Sequence, residues 1–295
     1  MKSEHKILAA FILNLFFSAF EFIGGTVTGS VAIISDALHD IGDAASIGIS
    51  YFLERKSKKQ PDEKYTYGYA RYSLLGGAVS SLILFFGSVL VIYNAIVRIL
   101  NPVTINYNGM ILFAIAGTLI NTSAAFFTGH GDSLNQKSVN LHMLEDALGW
   151  IVVLVGAIVI KLTDFVLIDP VLSIAVAIFI LINALKNIKD IVDIFCIKVP
   201  QNIDMNEIYE HIKNIHGVTD IHHIHIWTTD GLHNYATMHV VTNADSYEIR
   251  QKIRNVLHEH SICHVTLELE KEEDMCTEKI CRIEYNNKIC HHHHH

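Results

Sequence analysis

The chain is short of charge. Only 18% of its 295 residues are Asp, Glu, Lys or Arg, where a soluble protein usually carries about a quarter. The thinning is uneven, which argues against one uniformly solvated globule and places part of the chain in lipid. Basic residues are outnumbered, 22 against 30, for a formal net charge of −8. A chain that binds phosphates wants a basic stripe, so nucleic acid is excluded as a partner. Cysteine is sparse too: Cys196 stands alone, and Cys263, Cys276, Cys281 and Cys290 lie near the end. An odd count without paired spacing speaks against a disulfide-stapled secreted domain and for reduced thiols facing the cytosol. A cleavable signal peptide is not expected, because the apolar run from Ile7 is too long and leads straight into another. Low-complexity segments and obvious internal repeats are also missing. The closing HHHHH after Cys290 reads as a purification tag and enters no argument about fold.

What the chain does have is long apolar runs. Six, at about 7–28, 31–53, 73–99, 108–128, 139–161 and 168–188, each approach the roughly 20 residues that a bilayer requires. Thr28-Gly29-Ser30 makes a tight hairpin, Glu54–Lys64 a charged loop, and Asn101-Pro102 and Gly129–Lys137 further breaks. Asp169-Pro170 suits a helix start. The loop ERKSKKQPDEK carries five Lys or Arg, and Lys2, Lys6, Lys186 and Lys189 lie on the same side. By the positive-inside rule both termini face the cytosol, and an integral protein of the cell membrane is expected.

After Pro200 the composition changes. QNIDMNEIYEHIKNIHGV reads as a helix, and DIHHIHIWTTDG with HNYATMHVVT as two strands turning at Asp230-Gly231. SYEIRQKIRNVLHEH gives a second helix and CHVTLELE a third strand. The α-β-β-α-β order predicts a small open sheet with helices on one face, an α+β cytosolic domain. The expected division is a membrane domain over 1–197, this domain over 198–272, a Cys-containing tail over 273–290 and the tag over 291–295.

Within the second apolar run stands DALHDIGDAAS. Ionisable groups at membrane depth cost about 2.5–3.5 kcal/mol each on insertion scales and mark ion or proton paths. His39 and Asp43 are four apart, so both lie on one helix face. The pattern returns in the fifth run as His142-Met-Leu-Glu145-Asp146. Two helices, each giving an imidazole and a carboxylate, form a four-ligand set that suits tetrahedral zinc, with cobalt, cadmium or manganese as competitors. A buried structural pair is the rival for either motif alone. Asp36 and Asp40 either assist ion entry or satisfy structure near the hairpin. Glu145 reads as a supporting group rather than a ligand.

The stretches EFIGGTVTGSVAIISDALHDIGDAASIG, YTYGYARYSLLGG, NLHMLEDALGW, DPVLSIAVAIFILINA, HHIHIWTTDGLHNYATMHVV and CHVTLELE resemble the cation diffusion facilitator family, in particular its zinc-transporting branch. The resemblance implies six transmembrane helices, a ferredoxin-like cytosolic domain, and a homodimer exporting divalent metal in exchange for protons. It implies that His39, Asp43, His142 and Asp146 hold the transported ion, zinc (Zn2+) first, with cadmium, cobalt, iron or manganese (Cd2+, Co2+, Fe2+, Mn2+) open. It also implies regulatory metal on strand histidines, with His223, His239 and His264 at matching points, although a strand histidine beside Trp227 can equally be a packed core residue. Alternation predicts His223 and His225 on one face of their strand and His222 on the other.

Some relatives bind a second metal with histidines in the loop before the third helix. Here those positions read Tyr65 and Tyr69, and Asp62 alone would not hold a metal. Arg71, at the end of that stretch, is expected to pair with an acid on a neighbouring element. Cys276-x4-Cys281 and Cys290 fit either a soft-metal site or an unstructured end. The chain is not expected to be an enzyme. A membrane metalloprotease would need a base beside the metal, commonly in His-Glu-x-x-His, and that string is lacking. A metal sensor without transport is the remaining alternative.

Overall fold

The computed structural model describes residues 3–28, 31–101, 111–129, 133–163, 167–273 and 276, and they form two compact units. The first holds α1 (Ser3–Thr28), α2 (Val31–Ser57), α3 (Arg71–Leu100), α4 (Ile111–Thr128), α5 (Leu134–Thr163) and α6 (Ile168–Phe195). At 1.5 Å per residue the 30-residue α3 is roughly 45 Å long, more than a hydrocarbon core of about 30 Å.

The bundle is apolar outside and buries polar groups inside, beside apolar cores that include Ile47, Leu84 and Met143. Phe16, Phe52, Phe86 and Leu119 are each about two-thirds or more exposed, while Asn14, Glu21, Ser50, Ser81, Asn135 and Asn187 are buried. That inversion suits a lipid solvent, where interior polar groups must find each other and apolar side chains lie against acyl tails. Among the described residues, Glu4–Ile23, Arg71–Val97 and Leu134–Gly156 are long and apolar enough to cross a membrane, and Ile115–Thr128 is a shorter apolar helix. Three spans of the expected six are thus found by length and composition. α2 carries Asp40, Asp43, Glu54, Arg55 and Lys56 within one helix, more charge than that criterion admits.

Polar contacts set the helix packing. Ser50 Oγ of α2 meets Ser80 Oγ of α3 at 2.7 Å. Ser138 of α5 bonds Ser81 Oγ at 2.8 Å and donates to the Gly77 carbonyl at 2.9 Å, and Asn187 of α6 donates to both serines. Gly77 permits this approach, since a Cβ there would sit 3.1 Å from the Asn135 backbone.

The second unit contains α7 (Met205–Lys213), β1 (Val218–Thr228), β2 (Asn234–Thr242), α8 (Ser246–Glu259) and β3 (Ile262–Glu270). This is the expected α-β-β-α-β order. The β-strands lie in the order β1-β2-β3, β1 antiparallel and β3 parallel to β2. Asp204 caps α7 and Asp245 caps α8, each accepting two backbone N–H groups of the first turn. Ile208, Ile212, Ile249, Ile253 and Leu257 from the helices pack on Ile221, Ile226, Ala236, Met238 and Val240 of the sheet. The opposite sheet face carries His239.

β1 departs from simple alternation. Ile221 pairs with Val240 and Ile226 with Ala236, so core positions change from odd to even along the strand. A bulge between His222 and His225, where His223 adopts φ +50°, absorbs the extra residue. As a result His222, not His223, shares a face with His225 and stands opposite His239. The face assignment expected from alternation is corrected by this bulge.

Candidate metal centres

In the membrane unit Asp43 of α2 and His142 and Asp146 of α5 present ligand atoms within 4.8 Å of one another. Each comes from a helix in which i and i+4 share a face. Asp43 and His142 are 5% and 4% exposed, with Nε2 of His142 3.5 Å from Oδ2 of Asp43. Nε2 of His142 and Oδ2 of Asp146 make no hydrogen bond among the described residues. Buried polar atoms left in that condition are rare and need a reason; a cation between them supplies one. His39 lies one turn before Asp43 on α2, but its side chain, like that of Asp36, is outside the described residues. Asp40 is half-buried on the same helix. Glu145 lies near enough to His142 and Asp43 to feel their charges.

Asp146 also feels Glu21, a carboxylate of α1 that is only 1% exposed. Sequence reasoning passed over Glu21, although an acid amid FFSAFEFIGG was itself a signal.

The loop before α3 is held without histidine. Lys59 Nζ donates to Asp62 Oδ2 (2.8 Å) and Tyr69 Oη (3.0 Å), and Tyr69 Oη donates to Asp62 Oδ2 (2.6 Å). The backbone N–H groups of Lys64 and Tyr65 donate to the other carboxylate oxygen. The Lys59 ammonium, with Tyr69, holds the Asp62 carboxyl well below its usual range, and Asp62 in turn pushes the Lys59 ammonium up. An ammonium already occupies the carboxylate. Arg71 is exposed and makes no ion pair among the described residues, contrary to expectation. The acid at that level, Glu54, instead accepts from Ser73 and Asn135 and lies 3.5 Å from Lys58.

On the sheet face of the second unit, His222, His239, Glu270 and Cys276 bring ligand atoms within 4.8 Å. His222 and His239 oppose each other across β1 and β2, ring centroids 5.3 Å apart. Glu270 ends β3, accepting from the Cys276 backbone N–H at 3.0 Å and bonding His239 Nδ1. The Cys276 thiol donates to Glu270 Oε1 at 3.2 Å. His222 Nε2 lies 3.3 Å from Glu270 Oε2, yet neither of its ring nitrogens forms a hydrogen bond among the described residues.

Burial pushes the His222 imidazole down, against the pull of Glu270, which favours the neutral ligand form. Burial works to raise Glu270, but hydrogen bonds from Cys276 and His239 outweigh it and hold the carboxyl below its usual range. The hydrogen bond to Glu270, then burial, raises the Cys276 thiol. Two imidazoles, a carboxylate and a thiol suit zinc.

Of the strand histidines expected from the sequence, His239 is in this cluster. His223 touches it, its ring 5.0 Å from that of His239. His264 is elsewhere: it pairs with Tyr235, six residues before Glu270 on β3 and so roughly 20 Å away along the strand. Cys276 was expected only within a tail open to soft metal or no structure, His222 was expected on the other face, and Glu270 was missed. Cys281 and Cys290 lie outside the described residues.

Residues 7–196 match the cation efflux transmembrane domain and residues 200–272 the cation efflux protein cytoplasmic domain. The chain belongs to the cation efflux (cation diffusion facilitator) family. It is 31% identical over 300 residues to the zinc transporter ZitB of Yersinia pseudotuberculosis, covering 99% of this chain and 95% of that one. It is 32% identical over 303 residues to the cadmium, cobalt and zinc/H(+)-K(+) antiporter of Bacillus subtilis, covering 99% and 97%. With the metal cation efflux system protein CzcD of Cupriavidus metallidurans it shares 29% over 274 residues, covering 91% and 87%. These relatives are named as transporters, and the chain is a membrane transport protein rather than an enzyme.

Proposed function

We propose that the protein is a proton-coupled efflux transporter of divalent metal cations, zinc first, working as a homodimer with both termini in the cytosol. The observation that carries this reading is the convergence of buried Asp43 and His142 with half-buried Asp146, where Nε2 of His142 and Oδ2 of Asp146 make no hydrogen bond among the described residues. His39 would complete an imidazole–carboxylate foursome, and α1–α6 would supply six spans. The relatives' names, covering zinc, cadmium and cobalt, support the cargo class without choosing among its members.

The chemistry follows from the ligands. Facing the cytosol, the site replaces the hydration shell of the incoming ion, so its charge never stands bare in lipid. Facing outward, protons take the lone pair of His142 Nε2 and its counterpart on His39. A protonated imidazole is no ligand, so the metal leaves. Rocking of α2 and α5 between the two openings completes the cycle. Metal at His222, His239, Glu270 and Cys276, beside His223, would favour one arrangement when cytosolic metal is high.

The test is zinc flux in sealed vesicles carrying the tag-free protein under a pH gradient. Gradient-driven flux that disappears in Asp43→Ala and in Asp146→Ala supports the transporter. Zinc binding without flux in the intact protein would make it a sensor.

A further inference from the structure

The cytosolic unit holds a second histidine cluster on its helical side, away from the sheet face that carries His239. Glu207 and His211 are one turn apart on α7, and His260 follows the last residue of α8. Their ligand atoms lie within 4.8 Å of one another. Nδ1 of His211 is 2.9 Å from Nε2 of His260, although the residues are 49 apart in sequence. We infer that Glu207, His211 and His260 form a separate cytosolic binding site for a zinc-class divalent cation, which braces α7 to α8.

Four physical points carry it. At 2.9 Å the two ring nitrogens already face one another across the gap between α7 and α8. Tetrahedral zinc with Zn–N bonds of about 2.0–2.1 Å sets its nitrogens about 3.3 Å apart, so the rings need separate by only a few tenths of an ångström. His211 lies in the last turn of α7 and His260 caps α8. Both helices thus bring their electronegative ends to one place, which favours a cation. Glu207 supplies the anionic ligand, and its exposure leaves a fourth position for water, as in an open zinc site. With these ligands exposed or half-exposed, metal enters from the cytosol without an opening step.

The experiment is histidine acylation by diethyl pyrocarbonate on the tag-free full-length protein, read by peptide mass spectrometry with and without added zinc. Zinc is expected to protect His211 and His260 together, in the wild type and in Cys276→Ser alike, and Glu207→Gln is expected to lose that protection. Bound zinc per chain is expected to fall by one in His211→Ala. Equal acylation of both residues with and without zinc, while His239 is protected, would overturn the site and leave the sheet-face cluster standing. An unchanged zinc count in His211→Ala would do the same.

Discussion

Nε2 of His142 stands 3.5 Å from Oδ2 of Asp43, joining α5 to α2 inside the membrane unit. The separation is too long for a strong hydrogen bond and fits two ligands facing a common ion. Removing either carboxylate takes one anionic ligand from the proposed set. Asp43→Ala and Asp146→Ala are expected to cut zinc flux by more than the roughly 10–100-fold that loss of an outer-shell group costs. Stopped-flow dye measurements in vesicles check this, and flux within threefold of wild type in both would remove the site from the transport path.

Cys276 gives the cytosolic cluster its soft ligand. Cobalt bound to the wild-type protein should show the intense near-ultraviolet charge transfer of a thiolate, and Cys276→Ser should abolish it while cobalt still binds. Zinc affinity at this cluster should fall by about tenfold or more. Persistence of the charge-transfer band in the variant would assign the thiolate elsewhere.

Gly77 lets α3 approach the backbone of α5. A methyl group there meets Asn135 Cα and N at 3.1 Å, atoms that move only with their helix. Gly77→Ala should destabilise the membrane unit by about 1–3 kcal/mol, the usual range for overpacking, seen as a lower melting temperature in detergent. Gly87 has open space beyond its Cα, so Gly87→Ala serves as the control and should be neutral.

Asp62 organises its loop through a depressed carboxyl. A lowered folded-state pKa means the contribution is fully present above the unfolded value of about 3.9 and is lost as pH falls through the folded one. The loop should therefore be insensitive to pH near neutrality and loosen only in strong acid. Asp62→Ala should speed hydrogen exchange at the Lys64 and Tyr65 amides, which now donate to Asp62. Unchanged exchange at both would show that Asp62 is a bystander.

The juxtaposition of His142 and Asp146 was legible because i,i+4 geometry is a property of any α-helix: the two share a face wherever α5 sits. The element order of the cytosolic unit was readable for a similar reason, since helix and strand periods differ. The sheet-face site was not readable. Its ligands depend on a bulge that reverses the faces of β1, and no local pattern announces it. Glu270 and Cys276 join only through the pairing of β3 beside β2. Glu21 needed the packing of α1 near α5. Lys59 as the occupant of the Asp62 carboxylate needed the path of the loop.

Asn187 donates from α6 to Ser81 of α3 and Ser138 of α5, and Ser138 reaches the Gly77 carbonyl. Sliding α5 along its neighbours would break these bonds together, at about 0.6 kcal/mol or more apiece in a bilayer. Tilting α5 about them breaks none. The knot therefore acts as a pin through three helices, resisting translation of α5 more than rotation about it.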